Sequence, residues 1–112
     1  MDTRIVKVVD QVITLLATAQ YDAAAKLSHR KRLSAREIRG AIAQYGRRLI
    51  IGPPEQLEKI DAIEIRDSKP RAWSIQVPLW TKEEGRSDLT LELTVIDNGH
   101  RMEVQIDDIR VL

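Results

Sequence analysis

The residues of this chain that are best suited to chemistry are five carboxylates in its C-terminal third. Three of them share the segment TKEEGRSD at positions 81–88, and two adjacent aspartates follow at positions 107 and 108. A hairpin with a two-residue turn at Asn98–Gly99 would place Leu89 opposite Asp108, because its two arms run antiparallel from that point. The sequence therefore predicts that five acids gather at one end of a sheet: Glu83, Glu84, Asp88, Asp107 and Asp108.

Three interpretations of this acidic cluster are open. Arg86 and Arg110 lie nearby and could neutralise the acids in a network that holds the loop. The cluster could instead contact a partner protein, with Trp80 as an exposed anchor, since Trp and Arg are common among the residues that dominate binding energy. Clustered carboxylates can also bind Ca²⁺ or Mg²⁺ or shift one another's pKa values, but this spacing matches no recognised metal-binding loop. We predict no metal ligand, and we predict partner contact for Trp80, Glu83, Glu84, Arg86, Asp88, Asp107 and Asp108.

Other routes to catalysis lack suitable residues. The chain has two histidines, His29 in a basic connector and His100 beside the predicted turn, and it has no cysteine. No serine, histidine and acid are spaced in a way that indicates a catalytic triad. The five glycines are scattered rather than grouped in a phosphate-binding loop. The sequence therefore predicts a non-enzymatic protein with no catalytic residue and no cofactor.

The composition is that of an ordinary single domain, spanning residues 1–112. The chain is 43% hydrophobic and 31% charged, unlike disordered or fibrous proteins. No apolar run approaches the ~20 residues that a membrane-spanning helix needs, and the N-terminal residues MDTRIVKVVD do not fit a signal peptide. We therefore expect a cytoplasmic protein that does not bind a membrane.

Charge is divided unevenly along the chain, although the net charge is only +1. Bases outnumber acids up to Gly52, and acids outnumber bases after it. The basic segment between Lys26 and Arg48 could simply be a solvated face. It could also bind nucleic acid through phosphate contacts, yet it has no aromatic for stacking on bases except Tyr45, which the helical spacing turns inward. Nucleic acid is thus an alternative partner, bound by Arg30, Lys31, Arg32, Arg36 and Arg39.

Three helices are predicted in the first half of the chain. Residues 3–18 carry one narrow polar stripe at 3.6-residue spacing and are otherwise apolar, which predicts a helix buried across a sheet. Residues 19–27 predict a short second helix. Ser34 and Glu37 form a capping box that begins a third helix, and Gly46 ends it.

Alternating apolar residues predict four antiparallel strands in the second half. They lie around Ile63–Ile65, along Trp73–Leu79, and in the two arms of the Asn98–Gly99 hairpin. Pro78 lacks a backbone donor, which indicates an edge, a bulge or an outward-facing position in its strand. Leu49–Ile51 either completes the helical layer or forms a small strand.

The two-residue turn also predicts the hairpin register. Val95 would lie opposite Met102, and Leu93 would lie opposite Val104. Leu91 would then face Ile106, so that one side of the ribbon is apolar and the other is polar. A shift of one residue would turn every apolar side chain to the solvent.

These elements predict an α+β fold. The helical layer at about 3–48 packs on the apolar face of a four-stranded antiparallel meander at about 60–112. A long helix in a curved meander is typical of cystatin-like or NTF2-like cones. An NTF2-like domain that binds a small ligand or acts as an enzyme is therefore a second possible function. The predicted inward positions are all apolar, however, and favour a filled core: Ile63, Ile65, Trp73, Ile75, Leu91 and Leu93.

The C-terminal third carries a resemblance through two blocks, EEGRSDLTLEL and IDDIRVL. In them the chain resembles a small bacterial domain family without assigned biochemistry. Such short stand-alone domains resemble the immunity proteins of contact-dependent or polymorphic toxin systems. That resemblance implies a non-enzymatic protein that binds a cognate toxin tightly in the same cytoplasm, and this is the function that we predict.

Overall fold

The first helix covers one face of the sheet. The computed structural model describes residues 2–28, 30 and 32–112. Helix α1 (Thr3–Ala17) begins at Asp2, whose carboxylate accepts the N–H of Arg4 at 2.8 Å and so satisfies a backbone donor of the first turn. The predicted buried helix is confirmed by a continuous apolar side, which consists of Ile5, Val8, Val9, Val12, Ile13 and Leu16.

Two shorter helices complete the layer, α2 (Tyr21–Leu27) and α3 (Ala35–Tyr45). The predicted capping box begins α3: the Ser34 hydroxyl accepts the N–H of Glu37 at 3.1 Å, and the Glu37 carboxylate accepts the N–H of Ser34 at 3.0 Å. Gly46 ends α3 with a positive φ of 76°, a conformation that glycine adopts without a steric penalty.

The described strands form one open antiparallel sheet. Strands β3 (Ala72–Thr81), β4 (Gly85–Asp97) and β5 (Met102–Val111) lie side by side in that order. Two short strands, β1 (Leu49–Ile50) and β2 (Asp61–Glu64), both pair with the remaining edge of β3. The predicted α+β class is confirmed, and β1 is one strand more than the predicted four. The sheet is open, and the helices precede its long strands in the chain.

The segment between β1 and β2 folds over the edge of the sheet. It contains helix α4 (Glu55–Glu58), which begins at Pro54. Of the two possibilities for Leu49–Ile51, the small strand is the one that forms. The register of β3 with β4 shifts between Pro78 and Trp80, so Pro78 lies at a bulge, one of the three placements that its missing N–H predicts.

The face of the sheet that the helices cover, here called the inner face, is filled with aliphatic side chains. Ile75, Val77 and Leu91 are completely buried there, together with Val9 and Val12 of α1. The apolar side chains at these inner positions therefore form the hydrophobic core.

The predicted core position of Ile63 and Ile65 is wrong. Ala62 lies opposite Ile75 on the inner face, whereas Ile63 lies opposite Ser74 on the other side of the sheet. Ile63 is 63% exposed and Ile65 is 40% exposed. Strand β2 is four residues long, so the alternation of two isoleucines could not establish which face they occupy.

The predicted hairpin register is also wrong, by two residues. Asp97 pairs with Met102 and Val95 with Val104, which leaves a four-residue loop instead of a two-residue turn. Asn98 causes the difference, because its side-chain oxygen accepts the N–H groups of both His100 and Arg101, at 2.9 and 2.8 Å. A shift by two keeps the side chains between the loop and Ile106 on their predicted faces.

Candidate interaction surface on the outer face of the sheet

The two groups of predicted site acids lie apart from each other. A second bulge, between Glu92 and Leu93, leaves Asp108 opposite Glu92, while Leu89 pairs with Val111. Asp108 is thus four residues along the ladder from the position beside Asp88, a separation of roughly 13 Å at the usual rise of a strand. The predicted gathering of acids at one end is wrong, and the described residues contain no group of three or more potential metal ligands.

Glu83 and Glu84 attach the loop between β3 and β4 to the end of α3. The Glu83 carboxylate accepts the backbone N–H of Arg48 at 3.0 Å and lies 3.7 Å from its guanidinium. Glu84 accepts the hydroxyl of Tyr45 at 2.8 Å. Glu83 and Glu84, which were predicted to contact a partner, therefore hold the loop. They do so through Arg48 and Tyr45 rather than through Arg86 and Arg110.

These contacts also shift the pKa values of Glu83 and Tyr45. The N–H of Arg48 lowers the pKa of Glu83 below the usual 4.5, because it stabilises the charged carboxylate. Loss of solvation, followed by the hydrogen bond to Glu84, raises the pKa of Tyr45 above 10.0. Both shifts favour the protonation states that keep this loop attached near neutral pH.

The carboxylates of Asp107 and Asp108 form hydrogen bonds within the sheet. Asp107, at the second bulge, accepts the Thr94 hydroxyl at 2.7 Å and the Gln105 amide at 2.6 Å, and it lies 3.6 Å from Arg32. Asp108 accepts the N–H of Ile109 at 2.8 Å. Their side chains stabilise the bulged strand, whereas Asp88 is exposed.

The structure does bring together Trp80 and Arg86, which pair directly across β3 and β4. Both lie on the face of the sheet opposite the helices, here called the outer face. They line a cleft of about 260 Å³, whose other walls are Glu55, Gln56, Lys59 and Pro78. Trp80 is half-buried rather than fully exposed as predicted, since one side of its indole packs against the chain around Gly52.

Helix α4 is fixed beside Trp80 by one buried side chain. The Gln56 amide oxygen accepts the N–H of Gly52 at 3.1 Å, and the amide nitrogen donates to the carbonyl of Pro78 at 3.1 Å. Gly52 must be a glycine here, because an added Cβ would lie 2.5 Å from the Gln56 oxygen and 2.8 Å from Cγ of Trp80. The cleft is therefore a rigid feature of the fold.

Four of the cleft residues were not predicted from the sequence: Glu55, Gln56, Lys59 and Pro78. The sequence did contain one signal for them. Gly52–Pro53–Pro54 followed by Glu55 indicates a tight approach of the chain and then a turn of helix. Its proximity to Trp80 depends on the pairing of Ile50 with Trp80, which a two-residue strand cannot reveal.

The rest of the outer face has a polar centre between two apolar ends. At the centre Glu92 accepts the Gln76 amide at 3.0 Å and the Arg110 guanidinium at 2.7 Å. Ile50 lies beside Trp80 at one end, and Ile63 and Ile65 lie at the other. The polar side chains at the centre are hydrogen-bonded to one another, so the apolar surface that a partner could cover lies at the two ends.

Comparison with known proteins identifies the family. The family described as Domain of unknown function (DUF7668) matches residues 13–112. The chain belongs to this family. No curated protein and no solved structure matches the chain. Within the part that the structure describes, no helix is long and apolar enough to cross a membrane.

The basic residues of the DUF7668 chain that were predicted to contact nucleic acid are spread over the helical side. Arg32 pairs with Asp107 across 3.6 Å, and the Arg39 guanidinium lies 5.7 Å from the centre of the Tyr21 ring. Arg30 and Arg36 are exposed. Lys31 and His29 lie outside the described residues, while His100 is exposed in the β4–β5 loop.

Proposed function

We propose that this protein is a non-enzymatic binding module that uses the outer face of its sheet to hold a partner protein. The observation that carries the proposal is the pair of apolar ends on that face, where Ile63 is 63% exposed and Ile50 is 38% exposed. Exposed apolar patches rimmed by polar groups are typical of protein–protein contact sites. A partner that covers both ends would also cover Trp80, a residue type that often dominates binding energy.

The carboxylates support a binding role over acid–base chemistry. Glu84 is engaged by Tyr45, Asp107 by Thr94 and Gln105, and Glu92 by Arg110. Each of these acids contributes to the shape of the outer face or of its adjoining loop. Acids that maintain a shape in this way are suited to presenting a surface for recognition.

The most concrete form of this proposal is an immunity protein that binds a cognate toxin in the cytoplasm. Its support is the resemblance in the EEGRSDLTLEL and IDDIRVL segments, both of which lie in strands or loops of the sheet. The β4 segment contributes Arg86 to the cleft beside Trp80. An immunity protein acts by tight binding alone, for which a rigid and partly apolar surface is sufficient.

The test is to mix the protein with the toxin encoded next to it and to measure complex formation and residual toxin activity. We expect a stoichiometric complex and loss of toxin activity. Trp80→Ala combined with Ile63→Ser should weaken the complex at least tenfold, as expected when a hot-spot residue is removed. Val111→Ser is the matched control, since Val111 is 56% exposed but lies at the other edge of the sheet.

Two results would overturn the proposal in its concrete form. One is the absence of any complex, and the other is full toxin activity in an equimolar mixture. Equal weakening by Val111→Ser would show that the contact surface is elsewhere on the protein.

A second candidate function is nucleic-acid binding by the exposed arginines of the helical side. The observation that favours it is the exposure of Arg36, Arg39 and Arg47 along α3 and just past its end. Binding of this kind should weaken steeply with added salt, because it releases counterions from the phosphates. A salt titration with duplex DNA tests it, and binding that is insensitive to salt would exclude this mode.

A further inference from the structure

We propose that the cleft beside Trp80 is a recognition site for a carboxylate carried on an apolar group. The inference rests on the proposed function in one respect: the natural carboxylate would belong to the partner protein. The binding chemistry of the cleft depends only on its own residues and can be tested without the partner.

The cleft contains cationic charge that no ion pair with a described residue compensates. Among the described residues, most arginines near acids are paired with them: Arg4, Arg32, Arg48, Arg71, Arg101 and Arg110. Arg86 and Lys59, which both line the cleft, form no ion pair or side-chain hydrogen bond with any described residue. Glu55 is the single acid in the lining, so cations exceed acids there.

The walls of the cleft suit a ligand that is partly apolar. The indole of Trp80 and the ring of Pro78 provide apolar walls. Gln56 adds little polar character, because its amide oxygen and nitrogen are already bonded to Gly52 and Pro78. A ligand therefore meets the apolar surfaces of Trp80 and Pro78 beside two cations, which fits an apolar group that ends in an anion.

The size and geometry of the cleft suit a small occupant. A volume of about 260 Å³ is below the usual range of small-molecule sites, ~300–1,000 Å³, and it suits one side chain or one chain terminus. The guanidinium of Arg86 can donate two parallel hydrogen bonds to a carboxylate. Lys59 can add a point charge from the α4 side. The occupant is thus a single acidic residue or a C-terminal residue of the partner.

Small probes distinguish these two sources. N-acetyl-phenylalanine carries a terminal carboxylate, and N-acetyl-glutamate α-amide carries a side-chain carboxylate. N-acetyl-phenylalanine amide is the neutral control. The readout is nuclear magnetic resonance of the indole N–H groups, because the chain has two tryptophans and Trp73, at 9% exposed, serves as the internal reference.

We expect a carboxylate probe to shift the Trp80 signal, to leave Trp73 unchanged and to bind several times more tightly than the neutral amide. Arg86→Gln should weaken that binding about tenfold, the effect of losing a charge-assisted hydrogen-bond pair. Lys59→Gln should weaken it about two- to fivefold, as for an exposed ion pair. Arg36→Gln, an exposed arginine on α3, should leave binding unchanged.

Several results would overturn the inference: no shift with either carboxylate, equal binding of the neutral amide, or unchanged binding in Arg86→Gln. A stronger response to inorganic phosphate than to both carboxylates would also overturn it. Failure of the toxin to bind, with the probe results as expected, would remove the proposed function and leave the cleft assignment standing. Normal toxin binding by both Arg86→Gln and Lys59→Gln would show that the toxin does not use the cleft. The proposed function would then stand, and the assignment of the cleft to a carboxylate of the partner would be removed.

Discussion

Trp73 and Trp80 lie on the same strand of the sheet but belong to its two different faces. Trp73 is 9% exposed and packs into the core on the inner face, with the guanidinium of Arg71 5.0 Å from its ring centre. Trp80 lies on the outer face, where it forms a wall of the cleft beside Gly52 and Gln56. An odd separation along a strand places two side chains on opposite faces.

These two residues illustrate two kinds of position. One is explained by the stability of the fold, and the other is available for binding. The inner face must be large and apolar because it buries the helices, so a tryptophan at position 73 is explained by stability. The layer of α1, α2 and α3 does not cover position 80, which adjoins only the short helix α4, and a smaller polar residue would suit an outer face there. Gly52 and Gln56 nevertheless pack closely around Trp80, which is why the candidate function is assigned to that face.

The largest expected effect is that of removing the inner tryptophan. Trp73→Ala should lower the free energy of unfolding by about 3–5 kcal/mol, the usual cost of deleting a buried Trp or Phe. Trp80→Ala should cost less than half as much, because part of its indole already contacts water. Urea unfolding of both variants measures the two values.

Equal losses in the two variants would contradict the different roles assigned to Trp73 and Trp80. They would mean that Trp80 belongs to the stabilising core and that its position needs no functional explanation. A change in the urea dependence (the m-value) of either variant would indicate an altered unfolded or native state instead of lost packing.

The next effect concerns the support of Trp80. Gly52→Ala should destabilise the protein by about 1–3 kcal/mol, the range for overpacking, because the new Cβ would collide with Gln56 and the indole. Gly40→Ala is the matched control, since a Cβ there meets nothing within 4 Å. In the interior of α3 it should stabilise by about 0.5–1 kcal/mol.

The measurements are thermal or urea unfolding together with the indole N–H signal of Trp80. We expect that signal to move in Gly52→Ala and to stay in place in Gly40→Ala. A Gly52→Ala variant as stable as the parent chain would show that the cleft is loosely supported, and the rigidity argued for it would be lost.

The features that sequence could predict are those set by local rules. The polar stripe of residues 3–18 predicts α1 because helix faces repeat every 3.6 residues, and Ser34 with Glu37 predicts the start of α3 because a capping box involves four consecutive residues. The assignment of Trp73 to the apolar face and Trp80 to the polar one follows from strand alternation. Each of these needs only near neighbours in the chain.

The features that sequence could not predict depend on single side chains or on distant pairing. The β4–β5 register is set by two hydrogen bonds to Asn98, and the bulge at Asp107 moves the aspartates relative to Asp88. The cleft requires α4 to meet β3 through Gln56, a contact across 22 residues. Of the predicted site residues, Trp80 and Arg86 do meet, because they pair within one hairpin.

A smaller effect is expected at the far apolar end of the outer face. Ile63→Ser should change the free energy of unfolding by no more than about 0.5 kcal/mol, as is usual for a surface position. Ile75→Ser, at a completely buried inner position one strand away, is the contrasting variant and should be strongly destabilised. A loss of about 2 kcal/mol or more in Ile63→Ser would place Ile63 in the core and remove that end of the proposed contact surface.

The smallest effect distinguishes the acids that hold the loop from those available on a surface. The pKa of Glu83 is lowered in the folded state, chiefly by the N–H of Arg48, so its contribution to stability is present above the usual value of 4.5 and is lost as pH falls through the lower, folded value. Glu83→Gln should therefore be less stable than the parent chain at neutral pH.

That deficit should shrink in acid, where the parent's Glu83 becomes neutral as well. Thermal unfolding at neutral pH and well below pH 4.5 measures it, with Glu58→Gln, at an exposed position of α4, as the control that follows the parent chain at both. If the Glu83→Gln deficit were constant with pH, the Arg48 contact would act through shape alone. If there were no deficit at all, Glu83 would be available to a partner, as the sequence first suggested.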